Sequence, residues 1–298
     1  INIKVDREER PDVDKVYMNA VQLMTGSGGW PLNCITLPDG RPVFGGTYFT
    51  KKQWSEVLKG ISKLYKENPK KAIEFAENLT KGMQESQLIT LKKEKPSFTN
   101  KEILTSVNLI KEQIDTVFGG FKGTPKFPMP TSLDFLLRYN YQFKDASVNS
   151  YLKKSLTKMA FGGIYDQVYG GFSRYSVDEK WHIPHFEKML YDNAQLVSLY
   201  SKAYLNDNNN LYKSTVVETL NFIKEELTAK NGAFYSSLDA DSKNDKGESE
   251  EGAFYKWRLS ELKKLLKNDF NLFKEFYNIH DYGFWEKDQY LLIRNKNN

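Results

Sequence analysis

The chain holds one cysteine, Cys34, and three histidines among 298 residues. A lone thiol excludes an internal disulfide and any Cys-x-x-Cys pair within these residues, so dithiol redox activity has no place in this chain. Cys34 itself reads as a small buried hydrophobe on a strand. No run reaches the roughly 18 apolar residues of a spanning helix, and no signal peptide opens the chain, so a cytoplasmic location without a membrane partner is expected. Charge of one sign is not concentrated either. Lys and Arg number 43 against 38 Asp and Glu, and the excess is spread as single lysines rather than an Arg-rich face, so no nucleic-acid partner is implied. No cofactor is expected. What remains is a globular composition, long enough for a sizeable core and for two domains.

Residues 1–5, INIKV, alternate as a strand does, with no initiator methionine and no turn before them, which reads as an internal fragment entered mid-domain. Asp12 can cap a helix whose Val13, Val16, Tyr17, Ala20, Val21 and Met24 recur at helical spacing. Residues 32–37 and 42–49 read as strands joined by a tight Pro38-Asp39-Gly40 turn, and residues 53–65 as an amphipathic helix. That order matches the second half of a thioredoxin fold, with Trp30-Pro31 where such a fold carries a cis-proline. A Lys- and Glu-rich helix and the polar link LKKEKPSFTN follow between residues 68 and 100, so the domains are placed at 1–95 and 96–298.

Beyond the link the chain is helical with a loose repeat. Helices at 103–117, 150–161 and 212–227 each run into a glycine-aromatic corner: Gly119-Gly120-Phe121, Gly162-Gly163-Ile164-Tyr165 and Gly232-Ala233-Phe234-Tyr235. A loop rich in Pro, Asp and aromatics follows each corner, then a second helix (131–143, 185–205, 259–266). Such a hairpin cannot bury its own apolar face and must stack with copies of itself. Gly120, Gly163, Gly171 and Gly232 are therefore expected at one end of a helical barrel.

Chemistry concentrates between residues 162 and 196, where aromatics, glycines, carboxylates and two histidines crowd a non-periodic run. His185 is the candidate for proton transfer, read at a helix start beside Glu187, with a capping histidine as the bland alternative. Asp166, Glu187, Asp192 and Asp239 are the further candidate acids or bases. Arg174, Tyr175, Trp181, Tyr191, Asp241 and Tyr255 are candidate substrate contacts, with packing as the alternative for each aromatic. His182, His185 and Glu187 lack a fourth metal ligand, so no metal site is assigned. The loop from Asp239 to Glu251 fails as a calcium loop, because Lys243 takes the fifth position and no glycine the sixth; a solvated acidic loop is the default. His280 reads as surface.

The wording INIKVDREERPDVDKVYMNAVQLMTGSGGWPLN, together with GGFKGTPKFPMP at 119–130, the run at 162–196 and the DADS and EEGAFYKW strings at 239–257, closely resembles the spermatogenesis-associated, thioredoxin-domain-containing family. The resemblance implies a partial thioredoxin-like domain followed by the first half of an (α/α)6 toroid, the barrel of N-acylglucosamine 2-epimerases and six-hairpin glycosidases. It also implies missing parts on both sides: an upstream Cys-x-x-Cys-type motif and later hairpins. Two functional classes follow. One is a carbohydrate-binding or carbohydrate-active protein with a sugar ligand at the toroid loops, epimerase-like with a base such as His185, or glycosidase-like with two carboxylates. The other is a redox or partner-binding protein whose toroid only docks.

Overall fold

The structure, a computed structural model, describes residues 1–86, 88, 99–280, 283–286 and 288–294. The chain divides into two compact units, Ile1–Ser97 and Phe98–Asn298; residues 89–98 of the polar link lie outside the described residues.

In the first unit, helix α1 (Pro11–Thr25) is followed by strands β1 (Asn33–Thr36) and β2 (Pro42–Gly46) and by helices α2 (Lys51–Glu67) and α3 (Pro69–Ser86). β1 and β2 pair antiparallel, with Cys34 opposite Gly45 and Ile35 opposite Phe44. Gly45 lets α1 close on the hairpin: a Cβ there would stand 2.5 Å from Val21 Cγ2. Thr50 starts α2 through a capping box, accepting from the Gln53 amide while Gln53 Oε1 accepts from the Thr50 amide. The Trp30–Pro31 peptide is cis, as expected. Two expectations fail. Arg10 rather than Asp12 stands at the N-cap of α1, because the helix already starts at Pro11. Residues 1–5 form no strand and are exposed, because alternation alone supplies no ladder partner and none of the described residues pairs with them.

The second unit is built from helices α4 (Asn100–Gln113), α5 (Pro130–Phe143), α6 (Ala146–Phe161), α7 (Leu190–Asp207), α8 (Asn210–Glu226), α9 (Leu259–Leu266) and α10 (Phe270–Phe276). Between them run seven two- or three-residue strands: β3 (Tyr175–Ser176), β4 (Pro184–His185), β5 (Lys188–Met189), β6 (Ser237–Leu238), β7 (Asp241–Lys243), β8 (Ser249–Glu251) and β9 (Trp257–Arg258). β10 (Gln289–Tyr290) comes last and pairs with β9. Helix α5 packs on α6 and on α7, and α8 packs on α7 and on α6. Sequence neighbours thus form hairpins while alternate helices share a layer, the two-layer pattern of a toroid wall. Leu133, Leu136, Leu152, Met159, Leu196 and Tyr200 fill the space between.

Turns of two residues join α5 to α6 and α7 to α8, so every long connection gathers at the opposite end. These connections are laced together: Lys126 bridges Ser176, and β5 pairs with β6. The four corner glycines accordingly share one end. The repeat, however, has a different register from the one the sequence suggests. Asp115-Thr-Val-Phe-Gly-Gly-Phe121 matches Asp166-Gln-Val-Tyr-Gly-Gly-Phe172 bond for bond. In each copy the aspartate Oδ1 accepts two amides further along, and its own amide donates to the second glycine's carbonyl. Gly162 and Gly163 instead answer a close approach: a Cβ on them would stand 2.4 Å from the Trp181 carbonyl and 2.0 Å from that of His182.

Candidate functional site

The loop end carries one polar cluster that joins two connections. Strand β4 presents His185, whose ring stacks on Tyr175 of the paired strand β3 at 4.9 Å and 13°. Its Nδ1 lies 2.8 Å from Glu251 Oε1 on β8, and its Nε2 lies 3.8 Å from Glu187 Oε2. Beside it Arg174 Nη1 donates to Asp192 Oδ2 at 3.0 Å and to the Tyr191 hydroxyl. The Arg174 amide donates to the Glu187 carbonyl at 2.8 Å, which ties the residue before β3 to the link between β4 and β5. The electrostatics agree with the geometry. Burial first, then the charges of Glu251 and Glu187, raise the Tyr175 phenol. Burial lifts the Asp192 carboxyl above the ordinary range while Arg174 pulls it back.

His185 therefore stands on a strand rather than at a helix start; α7 begins only at Leu190. Asp192 consequently pairs with Arg174 rather than with His185. Glu251 is the member of this cluster that sequence reasoning did not single out. Its only signal was membership of the acidic stretch, and it reaches His185 because β7 and β8 fold that stretch into a hairpin in the register Asp241 to Glu251.

Five expected residues lie outside the cluster: Trp181, Asp166, Asp239, Asp241 and Tyr255. Trp181 is fully buried, its indole N–H donating to the Phe118 carbonyl at 3.0 Å, so it has no face to offer a ligand. Asp166 is 2.9 Å from the ammonium of Lys188, itself buried. Asp115 holds buried Lys126 at 2.6 Å in the same way, so each aspartate neutralises a buried lysine. Asp239 turns inward on its own loop, accepting from the Asp241 amide, and both are exposed. Tyr255 stacks on Phe186 at 5.5 Å and lines, with Asp166, a cavity of about 210 Å³.

His182 is half-buried, and burial lowers its imidazole pKa. Among the described residues no three His, Cys, Asp or Glu side chains are placed to hold a metal ion. None of the described helices is long and apolar enough to cross a membrane.

A family model, Thioredox_DsbH, described as a protein of unknown function (DUF255), matches residues 1–84. Spermatogenesis-associated protein 20 of Homo sapiens is 38% identical over 278 residues, 89% of this chain and 35% of its own length. The Mus musculus protein of the same name is also 38% identical over 278 residues, with the same coverage. An uncharacterised protein of Caenorhabditis elegans is 35% identical over 95% of this chain and 41% of its own length. The chain thus spans about a third of the mammalian relatives. Among solved structures, a cellobiose 2-epimerase from Spirochaeta thermophila matches 45% of this chain and 36% of its own at 16% identity and a TM-score of 0.40, too slight a likeness to bear on this chain's chemistry.

Proposed function

We propose that this relative of spermatogenesis-associated protein 20 is a cytoplasmic, carbohydrate-active protein whose loop-end cluster moves a proton on a sugar bound beside His185. The observation that carries this reading is the 2.8 Å pair of His185 and Glu251, with the imidazole half-buried and stacked on Tyr175. An ionised carboxylate only accepts, so the proton of that bond sits on Nδ1 and the Nε2 lone pair is the base. Nε2 is beyond hydrogen-bond distance of Glu187. A C–H next to an open-chain carbonyl can therefore be presented to it. Glu251 stabilises the imidazolium that forms, as the carboxylate does in hydrolase triads, and Arg174 is a cation at the same rim for the developing enediolate. Tyr191, exposed at the same rim, suits the flat face of a sugar.

The alternative, a redox or docking protein, gains little within this chain. Burial pushes the Cys34 thiol up to about 11, so it supplies no thiolate at neutral pH.

The three histidines make the reading testable one site at a time. In a proton–carbon spectrum of the imidazole rings, the peak missing from His185→Ala identifies His185. A panel of reducing sugars is expected to shift that peak and leave exposed His280 unmoved; a panel that moves neither peak contradicts the reading. The same substitution removes only a partly exposed pair, so Tm is expected to fall by no more than about 2–3 °C.

A further inference from the structure

The loop end also holds a cavity of about 210 Å³ bounded by Tyr165, Asp166, Tyr169, Phe254, Tyr255 and Trp257. Phe186 lines it, whereas its neighbours His185 and Glu187 do not, so cavity and histidine cluster are distinct. The geometry points to this cavity as a binding site for a single uncharged sugar ring, separate from the His185 rim; the choice of ligand class rests on the carbohydrate reading above.

Three observations select that ligand. Six of the thirteen described lining residues are aromatic, which suits the C–H face of a pyranose. The volume lies below the roughly 300–1,000 Å³ of sites for drug-sized ligands, which favours one ring over an oligosaccharide. The third is charge. Asp166, the one ionised group among the described lining residues, is neutralised by Lys188 at 2.9 Å, so these residues present no net negative charge to an ammonium. Among the described residues no Lys, Arg or His lines the cavity to hold an anion. A polar but neutral ligand is what remains. Asp166 is equipped for a hydroxyl: Oδ1 receives the Val168 and Tyr169 amides at 3.0 and 3.1 Å, Oδ2 receives Lys188, and of the carboxylate's roughly four acceptor positions one is left.

Methyl glycosides are the probe, because a locked ring cannot open to the carbonyl that chemistry at His185 requires. Phe254 and Val168 are 69% and 63% exposed and line the cavity, so changing them leaves the core intact. Calorimetric titration of this chain with methyl glycosides of several hexoses is expected to show binding that Phe254→Ala and Val168→Trp each weaken tenfold or more. His185→Ala is expected to leave that binding unchanged. Absence of binding, binding indifferent to both cavity substitutions, or binding of tetramethylammonium in place of the glycosides overturns the inference. The two readings fail separately: a shifted His185 peak with indifferent glycoside binding removes only the cavity, while cavity-dependent binding with an unmoved His185 peak removes only the proton-transfer site.

Discussion

Asn193 sits fully buried in the first turns of α7, and its one amide closes three backbone groups. Oδ1 accepts from the Phe172 amide at 2.7 Å, and Nδ2 donates to the carbonyls of Phe172 and Met189 at 3.0 and 2.8 Å. Asn193→Leu keeps the branched heavy-atom shape but strands these groups, so a loss on the order of 2–3 kcal/mol in urea unfolding is expected. Nothing in the sequence marked this residue, because an asparagine within a helical stripe looks the same whether it faces water or a neighbouring loop. Cys34 was legible: one thiol on an alternating strand reads as packing, and the structure half-buries it on β1. With its thiol raised to about 11, alkylation by iodoacetamide at pH 7.5 is expected to be at least tenfold slower in the folded protein than in urea. Equal rates would contradict the burial.

At the scale of elements, helices α5, α6, α8 and α9 follow from apolar spacing, and the glycine corners from composition. The pairing of corners did not follow. Gly-Gly at 162–163 and Gly-Gly at 170–171 look alike as letters, and only the aspartate four residues before the second pair shows which one repeats Gly119-Gly120. Each repeat is tied by a buried lysine from a later segment, so Lys126→Met leaves Asp115 unpaired and is expected to cost about 3 kcal/mol. Lys126 and Asp115 replaced together by apolar residues should recover much of that loss. Helix α6 starts at Asp145, which accepts from the Ser147 and Val148 amides and pairs with Lys111 at 2.7 Å. The lysine hydrogen bond, then Ser147, holds its carboxyl well below the usual range. The folded state therefore binds fewer protons than the unfolded chain, so this stabilisation is complete above about pH 4 and fades as pH falls through the acid range. Asp145→Asn is expected to lower the urea midpoint at pH 7 and to lose that effect progressively below pH 4; a difference independent of pH would refute the assignment.

For the molecule as a whole, composition and element order carried the two-part organisation, because helical and strand periods differ and glycine corners punctuate them. The site was legible only by neighbourhood. Residues 174–192 are close in sequence and stay close in space, whereas Glu251 arrives through a hairpin and Trp181 leaves for the core, events decided by long-range packing. The central claim is that His185, oriented by Glu251, removes a proton from a sugar carbon. The most direct measurement is incubation of this chain with a reducing sugar in D₂O, followed by NMR of the carbon next to the carbonyl. One base returning solvent deuterium to that carbon suffices for exchange without inversion, so deuterium is expected there with the unaltered chain. The rate should fall by about 10²–10⁴ in His185→Ala and by less in Glu251→Gln. A sugar whose binding shifts the His185 resonance yet gains no deuterium, or gains it equally with His185→Ala, would contradict the claim.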